Sequence, residues 1–426
     1  MALARTATVY CGSGRVPWSE FAAAADIFES RWLEIREALG WESAEELGDV
    51  HVPGASSLVN ISNGVFEKDS LGNIQRRCYD LETLIAILPI FAVTEPLDFV
   101  YSILSLGRDT YGVENLRIPI DYSLSPKKVF VSVVEHIINV SDSLNVICRP
   151  WAANGDLPSW IPTVDKYAYT RRHDGQYERE NADSLVGLPG RPVYSASGRR
   201  SYPEDVRVEW MADEPILLVR GYRLGMIQEV GDRCVNGNIP RDWHLMGQWD
   251  RSQGQVPDAY WRTIVADRGL HGERPPAWFG DVCTHCFKQN ALRDVDTSRL
   301  MRRLKSSHAK ELLRQVQVTI WNRRLFQASI WPTGKENEQA NLYDIRPFVL
   351  GLGPAETRTG DSIVILQGCS VPVILRRCTA TAPNDSFPQA ADLWTLVGAC
   401  FVHGRMDGDF SFERSYGQWA TQYRLV

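Results

Sequence analysis

The clearest patterning lies in the C-terminal third, where short apolar runs are cut by Gly, Pro and Asp. Ile363 to Leu366 is apolar at every position, and Val371 to Leu375 and Leu396 to Val402 follow after turn residues. Such runs predict strands joined by tight turns, and a strand apolar on both faces predicts cover on both sides, as in a small barrel. Ile216 to Gly221 and Gly225 to Gly231 read as two earlier strands. Between these sets, Asp242 to about Val318 carries helical spacing. Its segment 299–314 holds an apolar stripe of Leu300, Leu304, Ala309, Leu312, Leu313 and Val316.

Upstream, apolar positions recur at helical spacing through Phe21, Ile27 and Phe28, and again through Leu81, Leu84, Ile85 and Leu88. Thr94-Glu95-Pro96 opens a helix with Phe99, Ile103 and Leu104, and Ser125-Pro126 opens another through Val129, Val133 and Ile137. The stretch 48–70 reads as an exposed loop, and Ile118 to Tyr122 and Leu144 to Cys148 read as short strands. The expected class is α+β. A mixed helix and short-strand module covers 1–162, a linker or mobile loop covers 163–213, and a β-barrel-like domain covers 214–426, with a helical insertion at about 242–318.

Composition adds little to this picture but excludes several classes. The chain has 426 residues, 44% hydrophobic and 23% charged, so it resembles an ordinary globular protein of more than one packing unit. Its net charge of −6 gives no reason to expect nucleic acid, for which the basic segment 299–314 is the one hint. The nine cysteines lack framework spacing, which predicts free thiols in a reducing compartment. No apolar run reaches the ~18 residues of a membrane span, and the opening Met1 to Arg5 is too soon polar for a secretory leader. A cytoplasmic location is expected.

Candidate chemistry is sparse. Cys283-Thr284-His285-Cys286 has the spacing of a zinc half-site or a redox dithiol, but no second pair completes four ligands. No metal and no cofactor are expected. His403 with Asp407, Asp361 and Arg376 is the one set able to form a site at a barrel rim, with the imidazole as acid or base. The competing explanation is turn chemistry: Gly-Asp and His-Gly-x-Met-Asp-Gly build turns in their own right. Gly351, Gly353, Gly360, Gly404 and Gly408 are expected to serve those turns. No phosphate-binding glycine loop, HExxH or Gly-x-Ser-x-Gly motif is present.

The order of these motifs resembles the C-terminal region of the fungal heterokaryon-incompatibility (HET) family. The matching segments are Gly351-Leu352-Gly353-Pro354, Gly360-Asp361, Val371-Pro372-Val373-Ile374-Leu375-Arg376 and Val397-Gly398 through His403-Gly404-Arg405-Met406-Asp407-Gly408. Glu95 to Leu106 and Leu157 to Pro162 extend the resemblance upstream. Departures occur at Leu97, Phe99 and Ala399, where the family carries Arg, Lys and Glu. The family's N-terminal motifs, Tyr-x-Trp-Gly and the Trp- and Cys-containing segment, do not occur here. The resemblance thus implies the downstream portion of such a protein, acting through protein partners in non-self recognition and programmed cell death. It carries over no catalytic activity and says nothing of oligomeric state. Two rivals stand beside it: an enzyme using His403, Asp407 and Asp361, and a basic-helix adaptor.

Overall fold

The computed structural model describes residues 7–31, 34–35, 55–88, 95–114, 116–171, 177–198, 206–249, 254–288, 293–330, 348–378, 393–408 and 420–426. Helices and strands are both well represented, so the class is α+β. The chain divides into two compact units, residues 1–129 with 169–179, and residues 130–168 with 180–426.

The first unit contains the hairpin β1 (Thr8–Cys11) and β2 (Gly14–Pro17), then α1 (Trp18–Ser30), α2 (Ala55–Gly64) and the hairpin β3 (Phe66–Lys68) and β4 (Ile74–Arg77). Helices α3 (Leu81–Ile87) and α4 (Pro96–Leu104) follow. Asp80 caps α3 by accepting a hydrogen bond from the Thr83 amide at 2.8 Å, and Pro96 occupies the first turn of α4, where its missing N–H costs nothing. The expected loop at 48–70 is in part helical: α2 forms where Val59 is buried, so tertiary burial outweighs the Ser and Asn content. Ile118 to Tyr122 forms no strand. Helix α5 (Pro126–Ser141) runs across the unit boundary, and the hairpin β5 (Tyr169–Arg171) and β6 (Tyr177–Arg179) completes the first unit.

The second unit is organised by one nine-stranded sheet. Its spine is β8 (Glu214–Arg233), 20 residues long, preceded by β7 (Arg207–Met211). The expected two strands at 216–221 and 225–231 are therefore one. Glycine does not end the strand but lets a neighbour come close: a Cβ at Gly221 would lie 2.8 Å from the Ile365 carbonyl oxygen, a contact only glycine tolerates. Along its length β8 pairs with β7, with β17 (Thr421–Leu425), with β13 (Ser362–Leu366) and with β11 (Arg323–Ile330). Strand β13 continues to β14 (Val373–Arg377), then β15 (Leu393–Ala399), and β15 meets β17 in the one parallel strand pairing among the described residues. The pairings from β8 through β13, β14, β15 and β17 thus return to β8. On a separate branch β11 pairs with β12 (Phe348–Pro354), and β12 with β16 (Phe401–Val402).

Side chains from several of these strands meet in one core, where Leu224, Ile227, Phe326, Ile363, Ile374 and Val402 are at most 5% exposed, or less. All five residues of β13 are buried. Each large apolar side chain so buried contributes about 1.5–3 kcal/mol against exposure.

Between β8 and β11 the described residues form the short pair β9 (Asn238–Ile239) and β10 (Val295–Asp296) and the helices α6 (Arg241–Met246), α7 (Asp258–Ile264), α8 (Trp278–Phe287), α9 (Thr297–Arg303) and α10 (Ser307–Ile320). The expected single basic helix at 299–314 is two helices. Leu304 is extended, and the Ser306 hydroxyl accepts from the Ala309 amide at 3.3 Å to cap a new helix.

The boundaries expected at 162 and 213 also move. Residues 130–168 pack with the second unit: the Leu144 amide donates to the Gly368 carbonyl at 3.0 Å and the Leu396 amide to the Ser159 hydroxyl at 2.9 Å. Asn145–Cys148 is a 3-10 turn and not a strand, started by the Ser143 hydroxyl accepting from the Asn145 amide at 3.1 Å. Within the expected linker, Leu185, Val186, Tyr194 and Ala196 are buried in the second unit. Residues 172–176 and 199–205 of that stretch lie outside the described residues, as does Thr94.

Candidate functional site

The Gly-Asp turn sits between β12 and β13. Gly360 has φ +89°, a left-handed conformation that costs glycine little. It presents Asp361, only 3% exposed, to three donors. The Arg358 amide reaches Oδ2 at 2.8 Å, and Arg376 on β14 holds Oδ1 at 2.8 Å through Nε and Oδ2 at 2.9 Å through Nη2. Arg376 Nη2 also donates to the Glu356 carbonyl at 2.7 Å. The hydrogen bond to Asp361 holds the Arg376 pKa above its usual value, so the guanidinium stays charged. It ties the turn to the neighbouring strand.

The second turn follows β16. The His403 amide donates to the Leu350 carbonyl at 2.9 Å, and the Ser195 amide donates to the Met406 carbonyl at 3.0 Å. Asp407 is gripped by Arg268 from the turn after α7, at 2.6 and 2.8 Å to its two oxygens. Arg268, 7% exposed, also donates to the Val193 carbonyl at 3.1 and 3.2 Å and to the Asp267 carbonyl at 2.8 Å. Its guanidinium lies 4.3 Å from the Tyr194 ring centroid. Burial pushes the Tyr194 phenol well above its ordinary value, so its hydroxyl remains a donor, spent on the Ala266 carbonyl.

Beside this anchor lies a cavity of about 280 Å³ lined by Arg262, Asp267, Arg274, Phe401, Met406 and Asp407, among others. Arg262 is itself paired, at 2.8 Å with Asp258 and 2.7 Å with Asp267. Arg274 is exposed and has no ion pair or hydrogen bond among the described residues. Ala266 and Asp267 both have positive φ, 51° and 50°, unusual for residues with side chains. His403 Nδ1 is buried and has no hydrogen-bond partner. Desolvation lowers the His403 pKa, and Asp267 and Asp258 oppose that shift, so the ring is neutral at pH 7.

The four residues singled out in the sequence therefore do not converge. Asp361 and Arg376 pair with each other, Asp407 pairs with Arg268, and the charges that act on His403 are Asp267, Asp258 and Arg262. Of the motif glycines, Gly360, Gly404 and Gly408 have positive φ, while Gly351 and Gly353 leave room for Phe326 and Thr357. Arg268, Arg262, Asp267, Arg274 and Tyr194 were not singled out. Nothing local marks them, because Arg268 stands 139 residues from its partner.

The CxxC pair lies in the last turns of α8, with Cys283 fully buried and Cys286 5% exposed. Burial pushes both thiols up, Cys286 to about 11 and Cys283 further, which is opposite to what a thiolate nucleophile needs. Among the described residues no group of three or more His, Cys, Asp or Glu could hold a metal ion. No helix among them is long and apolar enough to cross a membrane. Comparison with family models, with curated proteins and with solved structures finds no match for this chain.

Proposed function

We propose that this chain is a regulatory or interaction portion of a heterokaryon-incompatibility-like protein, cytoplasmic and acting through protein partners in fungal non-self recognition and programmed cell death. In this reading the circuit of strands through β8 is a small barrel, and its turns present a recognition surface. One observation carries the preference for binding over catalysis. Both motif carboxylates are held by arginines, Asp361 by Arg376 and Asp407 by Arg268. A carboxylate whose two oxygens are both engaged by a guanidinium is poorly placed to act as a general base, because the arginine occupies the positions from which it would take a substrate proton. The free cation Arg274, beside the Arg262 pair, suits an acidic feature of a partner protein.

Quantitative affinity capture from fungal extract tests this reading, using the wild-type chain and an Arg274→Glu variant of equal melting temperature. Proteins enriched by the wild type and lost with the variant are expected. Identical sets from both would remove the surface from consideration.

The enzyme alternative has one observation in its favour, the neutral His403 whose Nδ1 is unpartnered and influenced by Asp258 and Asp267. An activity abolished by His403→Ala at unchanged stability would promote it. The basic-adaptor alternative loses its continuous helix at Leu304.

A further inference from the structure

A second cavity of about 440 Å³ has Asp407 in common with the first but is otherwise built from different segments. Asp142 and Asn145 come from the end of α5 and the turn after it. Tyr194, Ser195 and Ser197 come from the loop before β7, and Ser370 from the turn between β13 and β14. Backbone hydrogen bonds fix these segments to one another. Leu144 donates to the Gly368 carbonyl at 3.0 Å, Ala196 to the Ser370 carbonyl at 2.9 Å, and the Ser370 amide to Asn145 Oδ1 at 2.8 Å. The wall is preformed, and its volume falls within the ~300–1,000 Å³ usual for small-ligand pockets.

Its polar groups are incompletely used. Asp142 is exposed, has no ion pair or hydrogen bond to its carboxylate among the described residues, and holds a left-handed backbone at φ 52°. Asn145 spends its carbonyl on Ser370, and its Nδ2 has no acceptor among the described residues. The Ser370 hydroxyl is buried with no partner, on a residue 7% exposed. Buried polar atoms are normally satisfied, so an orphan hydroxyl on a residue of the cavity wall has bonding capacity that a side-chain rotation can turn towards an entering ligand.

The balance of charge selects the ligand. Asp407 is neutralised by Arg268, no unpaired cation lines the cavity, and Asp142 at its exposed edge is the one uncompensated charge. An anion would meet carboxylates. A buried cation would lose its hydration against neutral hydroxyls and an amide. A ligand hydroxyl both donates and accepts, which matches serine hydroxyls, an amide N–H and a carboxylate acting together. Val193 and Pro192 add an apolar patch for a C–H face.

We propose that this cavity binds an uncharged polyhydroxylated small molecule, a mono- or disaccharide, whose hydroxyls are held by Asp142, Asn145 and Ser370. The site shares Asp407 with the cavity beside Arg274 and uses none of that cavity's other lining residues.

Saturation-transfer NMR followed by calorimetry on the full chain, with glucose, mannose, N-acetylglucosamine, trehalose and spermidine as probes, tests it. At least one sugar should bind with a millimolar or tighter dissociation constant that is insensitive to salt. Ser197→Trp, which fills the half-exposed edge, should abolish that binding at unchanged melting temperature. Asp142→Asn should weaken it about tenfold, since asparagine tolerates the same backbone conformation. Three results overturn the proposal: no sugar binding, sugar binding that survives Ser197→Trp, or salt-sensitive spermidine binding stronger than any sugar's.

Discussion

Arg268 and Asp407, 139 residues apart, form an ion pair in which one guanidinium nitrogen, Nη2, donates to both carboxylate oxygens, and the Arg268 side chain is 9% exposed while that of Asp407 is 40% exposed. The asymmetry matters. The carboxylate can rehydrate if its partner is lost, whereas the guanidinium is left among carbonyl groups and the Tyr194 ring.

Asp407→Ala is therefore expected to cost about 2–4 kcal/mol, because it strands a buried cation. The double variant with Arg268→Met removes that stranded charge, so its loss should fall short of the sum of the single losses by about 1–3 kcal/mol. A denaturant double-mutant cycle measures the coupling. Additive losses would mean that the pair is incidental to stability.

A pH dependence follows from the helical segment. His244 is fully buried; its Nδ1 shares a hydrogen bond with the Tyr260 hydroxyl at 2.9 Å, and its Nε2 has no partner. The Tyr260 phenol stays protonated because burial pushes its pKa well above 10. Desolvation lowers the His244 pKa from 6.5 to about 4. Below pH 6.5 the unfolded chain takes up a proton that the folded chain refuses, so stability falls as pH drops from 6.5 towards 4 and levels off below. The full effect is on the order of 3 kcal/mol. Urea titrations at pH 7 and pH 5 should show the decline in the wild type. His244→Gln, which still offers Tyr260 a hydrogen-bond partner, should flatten it; an unchanged slope would assign the decline to other groups, His403 first.

How legible this was in the sequence depended on range. Strand β13 could be read because both its faces are buried, which leaves no polar position to confuse the pattern. The turn at Gly360 was legible because its conformation is local. The continuity of β8 was hidden, since Gly221 and Gly225 look like strand ends when they are close approaches to neighbouring strands. The break at Leu304 was hidden because an apolar stripe continues across it and masks the Ser306 cap. The partners of His403 and Asp407 could not be read at all. They come from α7 and the turn after it, and only the assembled sheet and helices bring them there.

The cysteines should divide by burial. Cys11 is exposed, whereas Cys283 is fully buried with its thiol pKa pushed up by desolvation. At pH 8 iodoacetamide should modify Cys11 in the native protein and reach Cys283 only after unfolding, as read by peptide mass spectrometry. A chelator should leave the melting temperature unchanged. A chelator-induced drop abolished by Cys283→Ser would instead identify a metal held by the pair.

The two motif turns offer the sharpest separation of structure from recognition. Nothing lies within 4 Å of a Cβ placed on Gly360, so the cost of a side chain there is conformational and not steric, set by φ +89°. A β-branched residue in that region is strained by at least 1–2 kcal/mol, roughly. The same change also threatens the amide bond from Gly360 to the Ile227 carbonyl at 2.9 Å and the placement of Asp361 against Arg376. His403→Ala removes a half-buried ring whose Nδ1 has no partner to lose. Gly360→Val should therefore lower the melting temperature more than His403→Ala does. The reverse order would make the His403 ring a core element, and a His403→Ala protein of wild-type stability that loses a partner or ligand would place recognition at that turn.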